Sequence, residues 1–257
     1  MLPQYELLND GQDRRHVFRI PFGKFAVCVV CLPLCSFLFC VAWSLLFFFR
    51  RSTATHCDVQ NFLPSISAAI GNYQPQRIVW QLAICIHFIP RLIVAKMYLE
   101  YNNEIVRRSR RILVRIACVL NVVENFALLG LSLWTSVDEY EMHKFCFITF
   151  IVASELYMLL SYFLNANARK VTILTKTEER SIRNKRNLFL VNAICFAGAA
   201  FCFLRHNTYC EPGVYTVFAL LEYIVVLTNM GFHMTAYWDL YDKSLTLDFS
   251  SACPKVF

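Results

Sequence analysis

Six stretches of about 20 mostly apolar residues constrain this chain more than any other feature. They run over residues 25–49, 78–98, 112–134, 145–164, 187–204 and 214–238. A hydrocarbon layer about 30 Å thick is crossed by about 20 residues of helix, and lipid offers no partner to an unpaired N–H or C=O. Continuous helices are therefore required, and the expected fold is all-α: a polytopic membrane protein with a single bundle of six transmembrane helices. The second stretch is broken by His87, Pro90, Arg91 and Lys96. It is kept because the positive charges sort across the membrane only if it spans. The first stretch is read as a signal anchor, being too long for a cleaved signal peptide. Only 17% of residues are charged, against about 25% in soluble domains, and no polar stretch is long enough for a separate soluble domain. The expected division is a tail over 1–24, a membrane domain over 25–240 with loops at 50–77, 135–144 and 205–213, and a second tail over 241–257.

Lysine and arginine set the orientation. With both termini in the cytosol, 17 of the 25 basic residues lie on that side and five (Arg50, Arg51, Arg77, Lys144, Arg205) on the other. The three named loops are then lumenal. The net charge of +7 is thereby a matter of topology and lipid surface. It does not indicate a nucleic-acid partner, because no basic domain exists to bind one.

Nine of the twelve cysteines fall within expected helices, where a thiol packs as a small hydrophobe. Cys253, in the C-terminal tail, is a candidate for lipidation. Only Cys57 and Cys210 occupy lumenal loops. On the oxidising side of a membrane such a pair is expected to form a disulfide, stapling loop 50–77 to the turn RHNTYCEPG at Arg205–Gly213.

Ionisable groups within membrane helices are costly and are functional candidates by default. His87 and Arg91 share a helix face, as do Glu222, Asn229 and His233. Asn121, Glu124 and Asn125 sit midway along the third helix and Glu155 midway along the fourth. At about 1.5 Å per residue, His87, Glu124, Glu155 and Glu222 lie roughly 12 to 15 Å below the lumenal ends. Two readings stay open. One is a satisfied network, with Arg91 paired to a carboxylate, that fixes helix packing. The other is a polar cavity for a lipid headgroup or a transported solute. The lumenal histidines His56, His143 and His206 lack ligand spacing, so no metal site is expected. The chain contains neither a Gly-x-Ser-x-Gly elbow nor a His-Glu-x-x-His helix.

Particular strings carry a resemblance. TATHC (Thr53–Cys57), LPSISAAIG (Leu63–Gly71), PQRIVW (Pro75–Trp80), RHNTYCEPGVYT (Arg205–Thr216) and EYIVVLTNMGFHMTAYWD (Glu222–Asp239) resemble the post-GPI-attachment-to-proteins factor two family. That family belongs to a wider group that includes damage-regulated autophagy modulators. The match spans about residues 25–243. It implies a multi-pass protein of the Golgi and endoplasmic reticulum membranes, required for remodelling GPI-anchor lipid. A partner enzyme removes the unsaturated sn-2 chain; this family is then needed to reacylate the lyso-GPI with a saturated chain, which keeps the anchored protein on the cell surface. Implied partners are lyso-GPI-anchored proteins, membrane lipids and other GPI-remodelling enzymes. No bound cofactor is implied; an acyl donor, acyl-CoA or phospholipid, is the co-substrate. The chain is then an acyltransferase or an essential subunit of one, or else a lipid-binding scaffold that presents lyso-GPI to a separate enzyme. A small transporter is the reading without the resemblance, and the lack of inverted repeats counts against it.

On this resemblance the lumenal residues receive roles. Arg205 and Arg77 meet the anchor phosphate. His206, with His56 nearby through the disulfide, is the expected base, and Glu211 orients it or binds glycan. His87, Arg91, Glu124, Glu155, Glu222 and Asn229 line a cavity for the glycerol region.

Overall fold

The computed structural model describes residues 17–248; the rest of both tails, with Cys253, lies outside the described residues. Among the described residues, nine α-helices follow in chain order: α1 Phe22–Phe47, α2 Phe49–Ser52, α3 Ile66–Gly71, α4 Gln76–Ile105, α5 Arg111–Leu133, α6 Tyr140–Asn167, α7 Lys176–Tyr209, α8 Val214–Met234 and α9 Ala236–Asp239. Among the described residues, six helices (α1, α4, α5 with its leading 3-10 turn, α6, α7, and α8 continued by α9) are long and apolar enough to cross a membrane.

Burial in these helices is inside out, as lipid requires. On α4, Ile78, Leu82, Ile86 and Ile89 recur at helical spacing and are exposed, while His87 and Arg91 are buried. On α5, Ile112, Ile116, Val119, Val123 and Phe126 are exposed, while Asn121, Glu124 and Asn125 are buried. Apolar faces meet lipid and polar faces meet one another. The closest pairings are α5 with α6 and α7 with α8, and α4 joins α1 to α5. The α7–α8 hairpin packs more loosely against the remaining four long helices, and that seam holds the cavity described below.

Small residues set the tight crossings. Gly130 of α5 faces Cys146 of α6 so closely that an added Cβ would lie 2.6 Å from the Cys146 sulfur.

Two features depart from the sequence expectation. A two-stranded antiparallel ribbon pairs β1 (Val17–Pro21) with β2 (Ser244–Asp248). It holds both ends of the membrane domain at one end of the bundle, as an even number of crossings demands. The fifth span also extends well beyond 187–204. Thr175 opens α7 with a capping box: its hydroxyl accepts the Glu178 N–H, and the Glu178 carboxylate accepts the Thr175 N–H. At the far end α7 reaches Tyr209, so Arg205 and His206 lie in its last turn rather than in a loop. The turn itself is Cys210–Gly213, with Cys210 (φ 51°) and Gly213 (φ 77°) both left-handed. Glycine at 213 takes that conformation without steric cost.

Candidate functional site

A cavity of about 620 Å³ runs along the seam between the α7–α8 hairpin and the other four long helices. It extends from Ser67, His143 and Tyr215 near the disulfide end to Val94, His233 and Ala236 near the ribbon end. Tyr215 and His233 stand eighteen residues apart on the single helix α8, about 27 Å at the helical rise. The wall is mostly apolar, with Val30, Ile70, Phe150, Phe196, Phe203 and Val226 among its residues. The cavity is long and apolar, and its volume falls within the usual range for ligand sites.

Polar groups enter this wall at two levels. The deeper one is a buried cluster. Arg91 of α4 lies 2.8 Å from Glu124 Oε1 of α5 and 2.6 Å from His233 Nε2 of α8. Guanidinium can only donate, so His233 Nε2 accepts, and its 3.1 Å approach to Glu124 is a contact between two acceptors sharing one donor. Asn229 donates to Glu124 (2.9 Å) and to Ser154 (2.7 Å). His87, Arg91, Asn229 and His233 border the cavity. His87 Nδ1, Arg91 Nε and Glu124 Oε2 are buried without a hydrogen-bond partner among the described residues. The cluster thus fixes α4, α5 and α8 while leaving donors and acceptors unused beside the channel.

The shallower level is built by the segment between α2 and α4, which folds over the channel mouth. Glu222 of α8 borders the cavity and accepts the Ile66 N–H at 2.9 Å. Tyr223 donates to the Pro64 carbonyl (2.7 Å), and the Thr216 hydroxyl accepts the Phe62 N–H (2.9 Å). Ser65 caps α3, its hydroxyl accepting the Ala68 N–H. The Cys57–Cys210 disulfide, with Cα atoms 5.3 Å apart, ties the start of this cover to the α7–α8 turn. Ser67, on the first turn of α3, faces His143 on the first turn of α6, with Oγ 3.0 Å from Nε2. Both border the cavity.

The structure keeps His56 beside His206, as expected, but sets both, with the remaining expected site residues, outside the channel wall. His206 is fully buried; its Nε2 lies 3.2 Å from the Thr55 hydroxyl. Its ring packs 5.0 Å from that of Tyr215, a cavity residue, so His206 stands one side chain removed from the channel. His56 is exposed, its ring 5.7 Å from His206. The Glu211 carboxylate turns to Arg205, which donates to both its oxygens, at 2.6 and 2.8 Å. Those hydrogen bonds hold the Glu211 carboxyl below its ordinary value, and both side chains are exposed. Arg77 pairs with Asp138 on the same face, and its hydrogen bonds lower the Asp138 carboxyl likewise. The two arginines expected to meet phosphate each already hold a carboxylate. Glu155 stands apart from the cluster on α6, only partly buried, its Oε1 without a partner among the described residues.

The ligand atoms of His56, Cys57 and His206 lie within 4.8 Å of one another. The Cys57 sulfur is held in the disulfide, and two imidazoles fall short of the three or four ligands that zinc takes.

Sequence reasoning missed the Ser67–His143 pair, although His143 was among the histidines it counted. It also missed a buried cluster near the ribbon end, where Asp239 accepts from Lys185, Ser181 (2.6 Å) and Tyr98 (2.7 Å). Lys185 had been counted as a cytosolic topology charge; it is wholly buried.

Residues 21–243 match the model of the Frag1/DRAM/Sfk1/Cwh43P N-terminal domain. The chain is 61% identical to "Post-GPI attachment to proteins factor 2" of Drosophila pseudoobscura pseudoobscura, over 96% of each chain. It is 46% identical to "Acyltransferase PGAP2" of Xenopus tropicalis, covering 90% of this chain and 92% of that one. It is 40% identical to "Post-GPI attachment to proteins factor 2" of Caenorhabditis elegans, over 90% of each. No solved structure matches. The chain therefore belongs to the Frag1/DRAM/Sfk1/Cwh43 family, as a multi-pass membrane protein related to post-GPI attachment to proteins factor 2.

Proposed function

We propose that this protein is a GPI-anchor lipid-remodelling acyltransferase that restores a saturated chain at sn-2 of lyso-GPI-anchored proteins. The observation that carries the reading is the long apolar cavity, polar at its mouth and at mid-depth, set between helices of a membrane bundle. A lyso-GPI has the matching form: one acyl chain, a glycerol with a free hydroxyl, and a polar head in the interface. The acyl chain lies along the channel of Phe150, Phe196 and Val226, and the glycerol lies near the mouth beside Glu222 and Tyr215. The relatives' names support the class of reaction, one of them being called an acyltransferase.

The basic-residue bias sets both termini in the cytosol and the disulfide end in the lumen. GPI anchors occupy the lumenal leaflet, so substrate enters from the side that carries the covered mouth. The protein works in the Golgi and endoplasmic reticulum membranes, after the enzyme that removes the unsaturated chain, with acyl-CoA or phospholipid as donor. It holds no cofactor.

Filling the channel tests the reading. Ala200→Trp places an indole in a cavity-lining position. In nanodiscs the wild type should transfer a labelled saturated chain to a lyso-GPI-protein, and the variant, folded and with its disulfide intact, should lose transfer and lyso-GPI binding together. Undiminished transfer by Ala200→Trp would reject the channel as the substrate site.

A further inference from the structure

We infer that Ser67 and His143 form a nucleophile–base pair that carries the acyl group covalently between donor and acceptor. The inference deepens the acyl-transfer reading and rests on it for the substrate class. His143 Nδ1 lies 2.8 Å from the Trp134 carbonyl oxygen. A carbonyl can only accept, so the proton sits on Nδ1 and Nε2 is left with a free lone pair. That lone pair faces the Ser67 hydroxyl at 3.0 Å. The arrangement is that of a hydroxyl nucleophile, a base within hydrogen-bond reach, and a third group orienting the base. A backbone carbonyl serves here as the orienting group.

Position supports the chemistry. Both residues border the cavity, at the mouth rather than in the buried cluster. His143 is one turn inside the start of α6, and Ser67 sits on a helix laid across the mouth. Glu222, which anchors the N–H of Ile66 next to Ser67, and Ser65, which caps α3, hold the nucleophile's backbone in place. Transfer to a glycerol hydroxyl needs its reactive group near the end of the acyl-chain channel, and this pair lies at the channel mouth. The buried cluster of Arg91, Glu124 and His233 is deeper, and His206 is walled off behind Tyr215.

The step balances in two halves. Ser67 Oγ attacks the carbonyl carbon of the donor, an acyl thioester or phospholipid ester, and its proton passes to His143 Nε2. The carbon–sulfur or carbon–oxygen bond of the donor breaks, and His143 returns the proton to the departing thiolate or alkoxide. Ser67 then carries an oxygen ester. In the second half the sn-2 hydroxyl of lyso-GPI gives its proton to Nε2 and attacks that ester. The Ser67 Oγ–acyl bond breaks, and Oγ takes the proton back. No oxidant or reductant is needed.

The test has a substrate-independent arm and a transfer arm, both on the full-length protein in nanodiscs. A long-chain alkyl fluorophosphonate should label the wild type, Oγ displacing fluoride, and the adduct should map to Ser67. Labelling should be lost in Ser67→Ala and in His143→Ala. In the transfer arm each variant should lose about 10²-fold or more in rate. Ser67→Cys guards against mere misfolding: it should trap the acyl group as a thioester released by neutral hydroxylamine, a treatment the wild-type oxygen ester survives. An unlabelled wild type, or transfer that persists in Ser67→Ala, would overturn the pair; a lowered melting temperature with unchanged transfer would reduce it to a staple between α3 and α6. A wild type that labels at Ser67 yet acylates no lyso-GPI would support the pair and remove the reacylation reading instead.

Discussion

Replacing Glu124 by leucine leaves Arg91 buried without its counter-charge. Glu124 is fully buried and the Arg91 side chain is 8% exposed, so neither can recruit bulk water. Breaking a buried ion pair from one side costs about 3–5 kcal/mol, mainly through the charge left uncompensated. Loss of the Asn229 hydrogen bond adds only about 0.6 kcal/mol, the mean for such bonds in membranes, because Asn229 keeps Ser154. The expected loss for Glu124→Leu is therefore roughly a 10³- to 10⁴-fold drop in the folded-to-unfolded ratio. The double variant Arg91→Met with Glu124→Leu removes both charges and should recover at least about 2 kcal/mol of that loss. Reversible unfolding in mixed micelles, followed by tryptophan fluorescence, measures all three stabilities. Glu124→Leu within about 1 kcal/mol of wild type, or a double variant no better than the sum of the singles, would refute the reasoning. Transfer by the stable double variant then separates packing from substrate contact at this cluster.

Other outcomes follow from the same structure. Cys57→Ser should lower stability by about 2–5 kcal/mol, since the bond closes a loop spanning 153 positions; melting of the oxidised and variant proteins checks it. Gly130→Ala should cost about 1–3 kcal/mol through overpacking against Cys146, and adding Cys146→Ala should restore most of the loss in the same melting assay. Arg205 depresses the Glu211 carboxyl, so the stability this pair gives the turn is present above the ordinary glutamate value of about 4.3 and is lost only as pH falls through the depressed value. Limited proteolysis at the α7–α8 turn should be flat from pH 7 to 5 and rise only in stronger acid. A rise between pH 6 and 5 would mean another group controls the turn.

The helices were legible because lipid imposes a simple pattern, with apolar residues outward and Asn121, Glu124 and Asn125 inward on the same helix. The disulfide was legible because only two cysteines fell in loops that the basic-residue bias assigns to the oxidising side. Partners across helices were not. Spacing along α4 places Arg91 on one face but does not say which of Glu124, Glu155 or Glu222 it meets, since that depends on helix rotation and depth. Ser67 and His143 lie 76 positions apart and meet only because loop 50–77 folds inward to cover the bundle. Glu211 was expected to orient His206 or to bind glycan, yet beyond the left-handed residue Cys210 its carboxylate turns back to Arg205. The start of α7 was readable in principle: Thr175–Lys176–Thr177–Glu178 is a capping-box sequence, passed over because hydropathy reports membrane depth and not helix length.

The central claim is that this chain itself moves an acyl group onto lyso-GPI through a channel between its helices. The most direct measurement is acyl transfer by the purified wild-type protein, alone in nanodiscs, with a lyso-GPI-protein and either acyl-CoA or a phospholipid as donor, read by mass spectrometry of the anchor. The account predicts a product heavier by one saturated acyl chain, formed with one donor class and in multiple turnovers. Saturable lyso-GPI binding with no product from either donor would contradict it, and would make the chain a lipid-presenting scaffold.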